Sequence, residues 1–200
     1  MHDFYIDERT ALLLKKYPER LHDILTSLSK NQQTCKKWLM KELLHVQLKM
    51  NLKPFEKISI VGGWYGNIII PLIQKHLSYN EIRFYDIDAE VIRLAKNFLH
   101  IEGDISFRTQ DATSVHFTGH KNLVINTSAE HMAPLTVQKS LMCIQSNNYR
   151  EIEEHTHCVD SAEELAEMYG MNKLYYTGQI DMGKYTRFMA IGRQSENTEQ

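Results

Sequence analysis

Cysteine is scarce in this chain, and so is charge of a single sign. Three cysteines, Cys35, Cys143 and Cys158, stand far apart in 200 residues. They form neither a CxxC pair nor an even set, which excludes a disulfide framework and points to a reducing compartment. The 23 Lys and Arg against 25 Asp and Glu leave a net charge of −2. Such a chain has no global attraction to phosphate, so a dedicated nucleic-acid binder is not expected. No apolar run reaches the roughly 18 residues that a membrane-spanning helix needs. The first residues, Met1-His2-Asp3-Phe4, carry an acid where a secretory leader needs a basic start. A cytoplasmic protein without a membrane partner is the expectation. No Gly-x-x-x-x-Gly-Lys-Ser/Thr loop occurs, which removes nucleotide hydrolysis by that route. Internal repeats and low-complexity segments are absent too.

What is present is an ordinary globular composition, 42% hydrophobic and 24% charged, in a chain long enough for one core. Residues 1–53 predict a helical extension. Leu12, Leu13, Leu14, Leu21, Ile24, Leu25 and Leu28 recur at spacings of three and four, with Pro18 starting or interrupting the first segment. A second helix follows from Thr34 to Leu48, after a polar break at Ser29-Lys30-Asn31.

From Pro54 the pattern alternates. Ile58–Val61 predicts a buried strand running into Gly62-Gly63, and Asn67–His76 a helix. Strand Ile82–Tyr85, helix Ala89–Leu99, and strands Ile105–Arg108 and Leu123–Asn126 come next. Thr136–Gln138 is assigned to a weak short helix, and Ser140–Gln145 to a strand. Ser161 opens a further helix with Leu165, Met168 and Tyr169 inward. Leu174–Ile180 and Tyr185–Gly192 then form a closing hairpin on the sheet edge. The predicted fold is α/β: a Rossmann-like, doubly wound, mostly parallel sheet over residues 54–193, with an antiparallel C-terminal hairpin and a frayed tail at 194–200.

The strand ends carry the chemistry. After the first strand, Gly62-Gly63-Trp64-Tyr65-Gly66-Asn67 lets the backbone turn sharply and approach a ligand, with free N–H groups of the following helix beyond. The second strand ends in Asp86-Ile87-Asp88. An acid there is placed to accept hydrogen bonds from ribose hydroxyls. Asp88, followed by Ala89-Glu90, suits a helix cap, so the ribose is assigned to Asp86.

In these motifs the chain resembles the class I S-adenosylmethionine-dependent methyltransferases, over roughly residues 56–193. By that resemblance Asp111, in Thr109-Gln110-Asp111-Ala112, would meet the adenine amino group, with Ala112 offering its N–H to the ring. Asn126 would end the fourth strand facing the reactive methyl, and Gly62, Gly63, Trp64, Gly66 and Ile87 would complete the cofactor site. S-adenosylmethionine is the implied cofactor and S-adenosylhomocysteine the product. Two departures stand out: Trp64 occupies the family's middle glycine, and Ile60 the position of its usual acid. Trp64 and Tyr65 would either wall the pocket or pack in the core. The phrases Asn126–Met132, Gln145–Tyr149 and Tyr185–Met189 are similar to small phage-encoded methyltransferase-like proteins.

Methyl transfer asks for positioning and, for some acceptors, removal of a proton. The loop Asn126-Thr127-Ser128-Ala129-Glu130-His131-Met132 leaves the fourth strand where the methyl would point. His131 is the candidate base, Glu130 its orienter or alternate, and a polar surface loop the plain alternative. Asn147, Asn148 and Tyr149 suit acceptor binding or an ordinary turn. His155 and His157 alternate along an extended segment and, with His131, would supply three nitrogens to a metal. Substrate contact by His155, or solvated histidines, is the competing reading, and no metal is assigned. Arg187 lies between apolar neighbours in the last strand and needs a partner: Glu130, Asp111 or a substrate anion, unless it faces solvent.

The expectation is a methyltransferase acting on a small polar acceptor, with a homodimer left open. A nicotinamide-dependent oxidoreductase and a non-catalytic cofactor-binding module are the rivals. A nucleic-acid methyltransferase would need Lys36, Lys37, Lys41 and Arg20 on one basic face. No Pro-Pro-Tyr follows Asn126 and no Pro-Cys pair occurs, so the corresponding DNA-methylation motifs are missing.

Overall fold

The computed structural model describes residues 8–98 and 103–194. The predicted helix end at Leu99 and the tail 195–200 lie outside them. The N-terminal region is helical: α1 (Glu8–Lys16), a single 3-10 turn (Pro18–Arg20), α2 (Leu21–Ser27) and α3 (Lys30–Lys49). Pro18 lacks an N–H and has a fixed φ, so it ends α1 and opens the next turn. Ser29 caps α3 by accepting the Gln32 N–H at 3.4 Å. Lys30 and Asn31 are therefore helical, and the break falls earlier than their polarity suggests. Leu39, Leu43 and Val46, three and four apart, bury the inner face of α3.

The remaining elements are β1 (Phe55–Val61), α4 (Ile69–His76), β2 (Tyr79–Asp86), α5 (Ala89–Phe98), β3 (Ile105–Thr109), β4 (His116–Thr118), β5 (Asn122–Asn126), β6 (Thr136–Gln138), β7 (Leu141–Asn147), α6 (Ala162–Met168), β8 (Lys173–Asp181) and β9 (Thr186–Arg193). Seven strands form one sheet in the order β3-β2-β1-β5-β7-β9-β8. The first five of that order are parallel, whereas β9 runs antiparallel between β7 and β8. This is the predicted mostly parallel sheet with its antiparallel hairpin, and β8 forms the edge.

Strands buried on both faces need two apolar layers, which explains their continuous Ile, Val and Leu runs. On one face Ile58, Ile60, Ile82, Phe84, Leu123 and Ile125 pack against α3 and α4. On the other, Val61, Val124, Met142 and Ile144 meet α6 through Leu165 and Ala166. Part of that second layer is a β ribbon. Thr136–Gln138, expected as a helix, is strand β6, paired in parallel with β4. Two β-branched residues in three, with Val137 buried beside Phe117, favour the extended form. Strand β4 has no counterpart in the sequence reading, because three residues are too few to show a period.

Register aligns the strand ends. Val61 of β1 lies opposite Tyr85 of β2 and Asn126 of β5, and Asp86 lies opposite Thr109 of β3. The connections leaving these strands therefore open at one level. Strand order reverses between β1 and β5, which is where open α/β sheets hold ligands.

Candidate active site

A cleft of about 680 Å³ opens at that reversal point. Its floor and walls come from the turn after β1, the ends of β2 and β3, and the loop after β5. Arg20, Asp23, Gln32 and Lys36 line it from the N-terminal helices.

The turn after β1 is shaped by its glycines. Gly62 has φ +59, and a Cβ there would meet the Ser128 Cβ at 2.7 Å. That close approach lets the Gly62 carbonyl accept from Ser128 Oγ at 2.7 Å and Thr127 Oγ1 at 3.2 Å. The loop after β5 is thereby fastened to the turn after β1. Trp64, at φ +56, sits in the left-handed region where glycine is the ordinary occupant. Its indole lines the cleft. Tyr65 does not: it is buried with Leu13, Ile24, Val91 and Leu94, and its hydroxyl accepts from Arg20 Nε at 3.2 Å. Gly63 and Gly66 are also buried beneath the turn. A Cβ on Gly63 would stand 2.7 Å from Phe84 Cε2, so this glycine serves helix–sheet packing and does not line the cleft.

Asp86 and Asp88 divide their work. Asp88 accepts the N–H groups of Glu90 at 2.8 Å and Val91 at 3.3 Å, capping α5, and binds Arg20 Nη2 at 2.9 Å. Partial burial acts against its charge, but the Arg20 bond and the two amides bring its carboxyl below the usual range. Asp86 accepts the Asp88 N–H at 3.0 Å and turns toward the cleft. Burial, reinforced by Asp88, pushes its carboxyl upward. Beside it Ile87 is 74% exposed, an apolar surface at the rim with nothing packed on it. Asp111 orders the next loop by accepting from the Thr113 N–H at 2.9 Å and hydroxyl at 2.7 Å, which lowers its carboxyl pKa. Ala112 is buried beneath.

The loop after β5 departs further from expectation. Asn126 is fully buried and does not reach the cleft. Its amide donates to Tyr169 at 3.1 Å, and its Oδ1 accepts the Ser128 N–H at 2.9 Å. It shapes the loop and touches no ligand space. Glu130 lines the cleft while buried, and Arg187 Nη1 at 2.6 Å and Asn147 Nδ2 at 2.7 Å both donate to its Oε1. Arg187 also donates to the Thr127 carbonyl. Of the partners weighed from sequence, Glu130 is the one the structure shows, and neither Arg187 nor Asn147 reaches the cleft. The two residues that follow Asn147 also have partners: Asn148 Oδ1 accepts the Thr186 N–H at 2.8 Å, and the Tyr149 hydroxyl donates to Glu151 at 2.8 Å. Strand β7 runs on to Asn147, so these amides join the strand ends, and neither they nor Tyr149 line the cleft.

His131 lines the cleft and packs edge-on against His155, with ring centroids 4.5 Å apart. Burial, aided by the neighbouring His155, holds its imidazole below the ordinary histidine value despite Glu130. His155 Nδ1 donates to the Tyr149 carbonyl, 2.6 Å away. Glu130, His131 and His155 bring one ligand atom each within 4.8 Å of one another. His157, the third histidine of the sequence reading, points to Thr156 instead. The Arg187 guanidinium on the same carboxylate opposes a cation there. The four-residue basic face does not form: Lys36 is buried and Arg20 is engaged with Asp88.

Sequence reasoning missed Asp23 and Gln32, and weighed Arg20 and Lys36 only as parts of a nucleic-acid face, not as lining of this cleft. The one legible signal was Lys36, which stands at the helical spacing of Leu39 and Leu43 and so belongs to the buried face of α3.

The signature of the spermine/spermidine synthase domain matches residues 39–140, just over half of the chain. The chain belongs to that family. The spermine/spermidine synthase domain match includes Gly62, Asp86, Asp111, Glu130 and His131, and leaves out Lys36, Asn147 and Arg187. Among solved structures, the N-methyltransferase NodS from Bradyrhizobium japonicum superposes with a TM-score of 0.61 at 11% identity, over 84% of this chain and 99% of its own. Magnesium protoporphyrin IX methyltransferase from Synechocystis, solved with bound S-adenosylmethionine, gives 0.58 at 14% identity, over 96% of this chain and 100% of its own. Identities this low establish a common fold, that of the Rossmann-like methyltransferases. No curated protein matches the sequence.

Proposed function

We propose that the protein is an S-adenosylmethionine-dependent methyltransferase acting on a small polar acceptor. One observation carries this reading. The cleft at the reversal point joins Asp86, Asp111 and the Gly62 turn on one side of β1 to the Glu130–His131 loop on the other. Asp86 would accept from the ribose hydroxyls, Asp111 and Ala112 would meet adenine, and Ile87 would cover the base. The turn at Gly62 and Trp64 would hold the methionine end. The bound S-adenosylmethionine in the Synechocystis enzyme supports this assignment by analogy of fold.

Methyl transfer is an in-line displacement. An acceptor nitrogen or oxygen donates its electron pair to the methyl carbon, the carbon–sulfur bond breaks, and its pair stays on sulfur as S-adenosylhomocysteine. The acceptor's proton passes to His131. An imidazole held below its ordinary pKa is neutral at pH 7 and has a lone pair available. Glu130 is the poorer base, because Arg187 and Asn147 already occupy one of its oxygens. The N-terminal helices would cover the cleft, with Arg20 on the Asp86 side and Gln32 and Lys36 on the side of the Glu130–His131 loop.

Calorimetric titration with S-adenosylmethionine, S-adenosylhomocysteine and NAD, repeated in Asp86→Ala, tests the reading. Saturable binding of both sulfur nucleosides, lost in the variant, is expected. Preference for NAD would favour hydride transfer and end the methyl-transfer proposal. Binding without turnover on an acceptor panel that includes amines, hydroxy acids, polyamines and RNA would favour a ligand-holding module.

A further inference from the structure

The half of the cleft over β5, β7 and β9 contains a cation that methyl transfer does not itself require. Lys36 lies on the buried face of α3, is 5% exposed, and still lines the cleft. Its ammonium donates to Gln32 Oε1, one helical turn earlier. That partner is a neutral amide. Among the described residues no carboxylate lies within ion-pair distance of Lys36, and its two remaining N–H donors have no protein acceptor. The charged groups that act on it are Arg187 and Glu130, together with the Cys35 thiol.

Glu130 is already shared by Arg187 and Asn147. The local count is therefore two fixed cations against one carboxylate. A buried ammonium without a counter-ion is costly, and cores normally avoid it. Burial, with Arg187 adding to it, draws Lys36 down to about 8, the response of an ammonium short of an anion. A helix that merely needed an apolar contact here would be served by Leu or Met. A lysine at this position, lining the cleft, fits a ligand that brings the missing charge.

We propose that Lys36, with Gln32 beside it, binds an oxyanion carried by the methyl acceptor, a carboxylate or a phosphate. The proposal rests on the methyl-transfer reading for what occupies the other half of the cleft. Position separates the acceptor from the cofactor as the source of the anion. Lys36 interacts with the loop after β5 and with β9, whereas Asp86 and Asp111 end β2 and β3 on the far side of β1. An acceptor anchored by its anion on Lys36 would present a second polar group toward His131 and the methyl. Two-point binding of this kind fixes the attack direction. The substrate class is then an amino acid, a hydroxy acid or a phosphorylated amine or alcohol. A polyamine lacks the anion, and its charge is opposed by Lys36.

The test uses the full chain saturated with S-adenosylhomocysteine. Acetate and inorganic phosphate are titrated at constant ionic strength, and backbone amide NMR shifts are followed in wild type, Lys36→Met and Lys36→Arg. A saturable shift at residues 32–36 and 130–131 is expected for at least one oxyanion. Binding weakens about tenfold or more in Lys36→Met and is partly kept in Lys36→Arg. S-adenosylhomocysteine affinity stays within about twofold of wild type in both variants, since neither change removes a cofactor contact. Absence of a saturable shift in the wild type overturns the proposal and leaves the methyl-transfer reading intact. A Lys36→Met variant that loses S-adenosylhomocysteine but keeps methylthioadenosine, which has no carboxylate, also overturns it, by seating the cofactor's own carboxylate on Lys36. If S-adenosylhomocysteine fails to bind the wild type, the methyl-transfer reading falls instead. The same anion titration on the unliganded chain then decides Lys36 by itself. Should Lys36→Met not fold, the wild-type titration and Lys36→Arg decide.

Discussion

The two halves of the cleft are built differently. Over β2 and β3, the acids that line the cleft belong to the turns at the ends of their own strands and have partners near in sequence: Asp86 with Asp88, Asp111 with Thr113. Over β5, β7 and β9 the groups are drawn from across the chain. Glu130 is held by Asn147 and Arg187, and Lys36 arrives from a helix that precedes the sheet. The first half is a set of local turns; the second is a long-range charge network. Local turns survive substitution elsewhere, whereas a network fails as a unit.

The sharpest test of that contrast is His131→Ala. We expect a loss of about 10²- to 10⁴-fold in kcat once an acceptor is found, with S-adenosylhomocysteine affinity unchanged. A variant that loses affinity as well would show that the halves are not separate. Arg187→Met should destabilise by about 3–5 kcal/mol in denaturant unfolding, because it strands a buried carboxylate. Adding Glu130→Gln should recover part of that loss, and strict additivity would refute the network.

Asp86→Asn should weaken S-adenosylmethionine by about 1–3 kcal/mol while slightly raising the melting temperature of the unliganded protein. The sign follows from its pKa, raised on folding by burial, so that the charge opposes folding at pH 7.

Lys36 behaves in mirror image. Its folded value of about 8 lies below the unfolded one of about 10.4, so wild type gains stability as pH rises between them. Lys36→Met should melt higher at pH 7 and lack that gain; an unchanged pH profile would contradict the burial argument. The smallest effect belongs to Arg20–Asp88, whose carboxylate side chain is 41% exposed. Arg20→Ala should cost at most about 1 kcal/mol. Because the Asp88 carboxyl is depressed, this contribution is present near neutral pH and fades as the solution is acidified below the usual carboxylate range.

The contrast also explains what could be read in advance. Strand Phe55–Val61 and its glycine turn, and Asp86 beside its capping neighbour Asp88, are visible because the cause lies within a few residues. The parallel sheet follows from the alternation of strand and helix, and the closing hairpin from two strands separated only by Asp181–Lys184. Asn126, expected at the methyl, is a buried loop brace, because its partner Tyr169 follows the end of α6, over forty residues on. Asn147 reads as an acceptor contact because nothing near it in sequence reveals Glu130, whereas a buried Arg187 calls for a carboxylate and Glu130 is among the partners it predicts. Tyr65 could equally wall a pocket or fill a core, and only the packing of α1 and α2 settles which.

The fastening of Arg20 has a kinetic consequence. This side chain joins the turn before α2 to Tyr65 of the glycine turn and to Asp88 at the start of α5, whose N–H is held by Asp86. A nucleoside held on Asp86 would thus sit under a latch with two attachment points. Loosening that latch would shorten the dwell time of such a ligand, so its exchange would be governed in part by a residue that need not touch the reacting atoms.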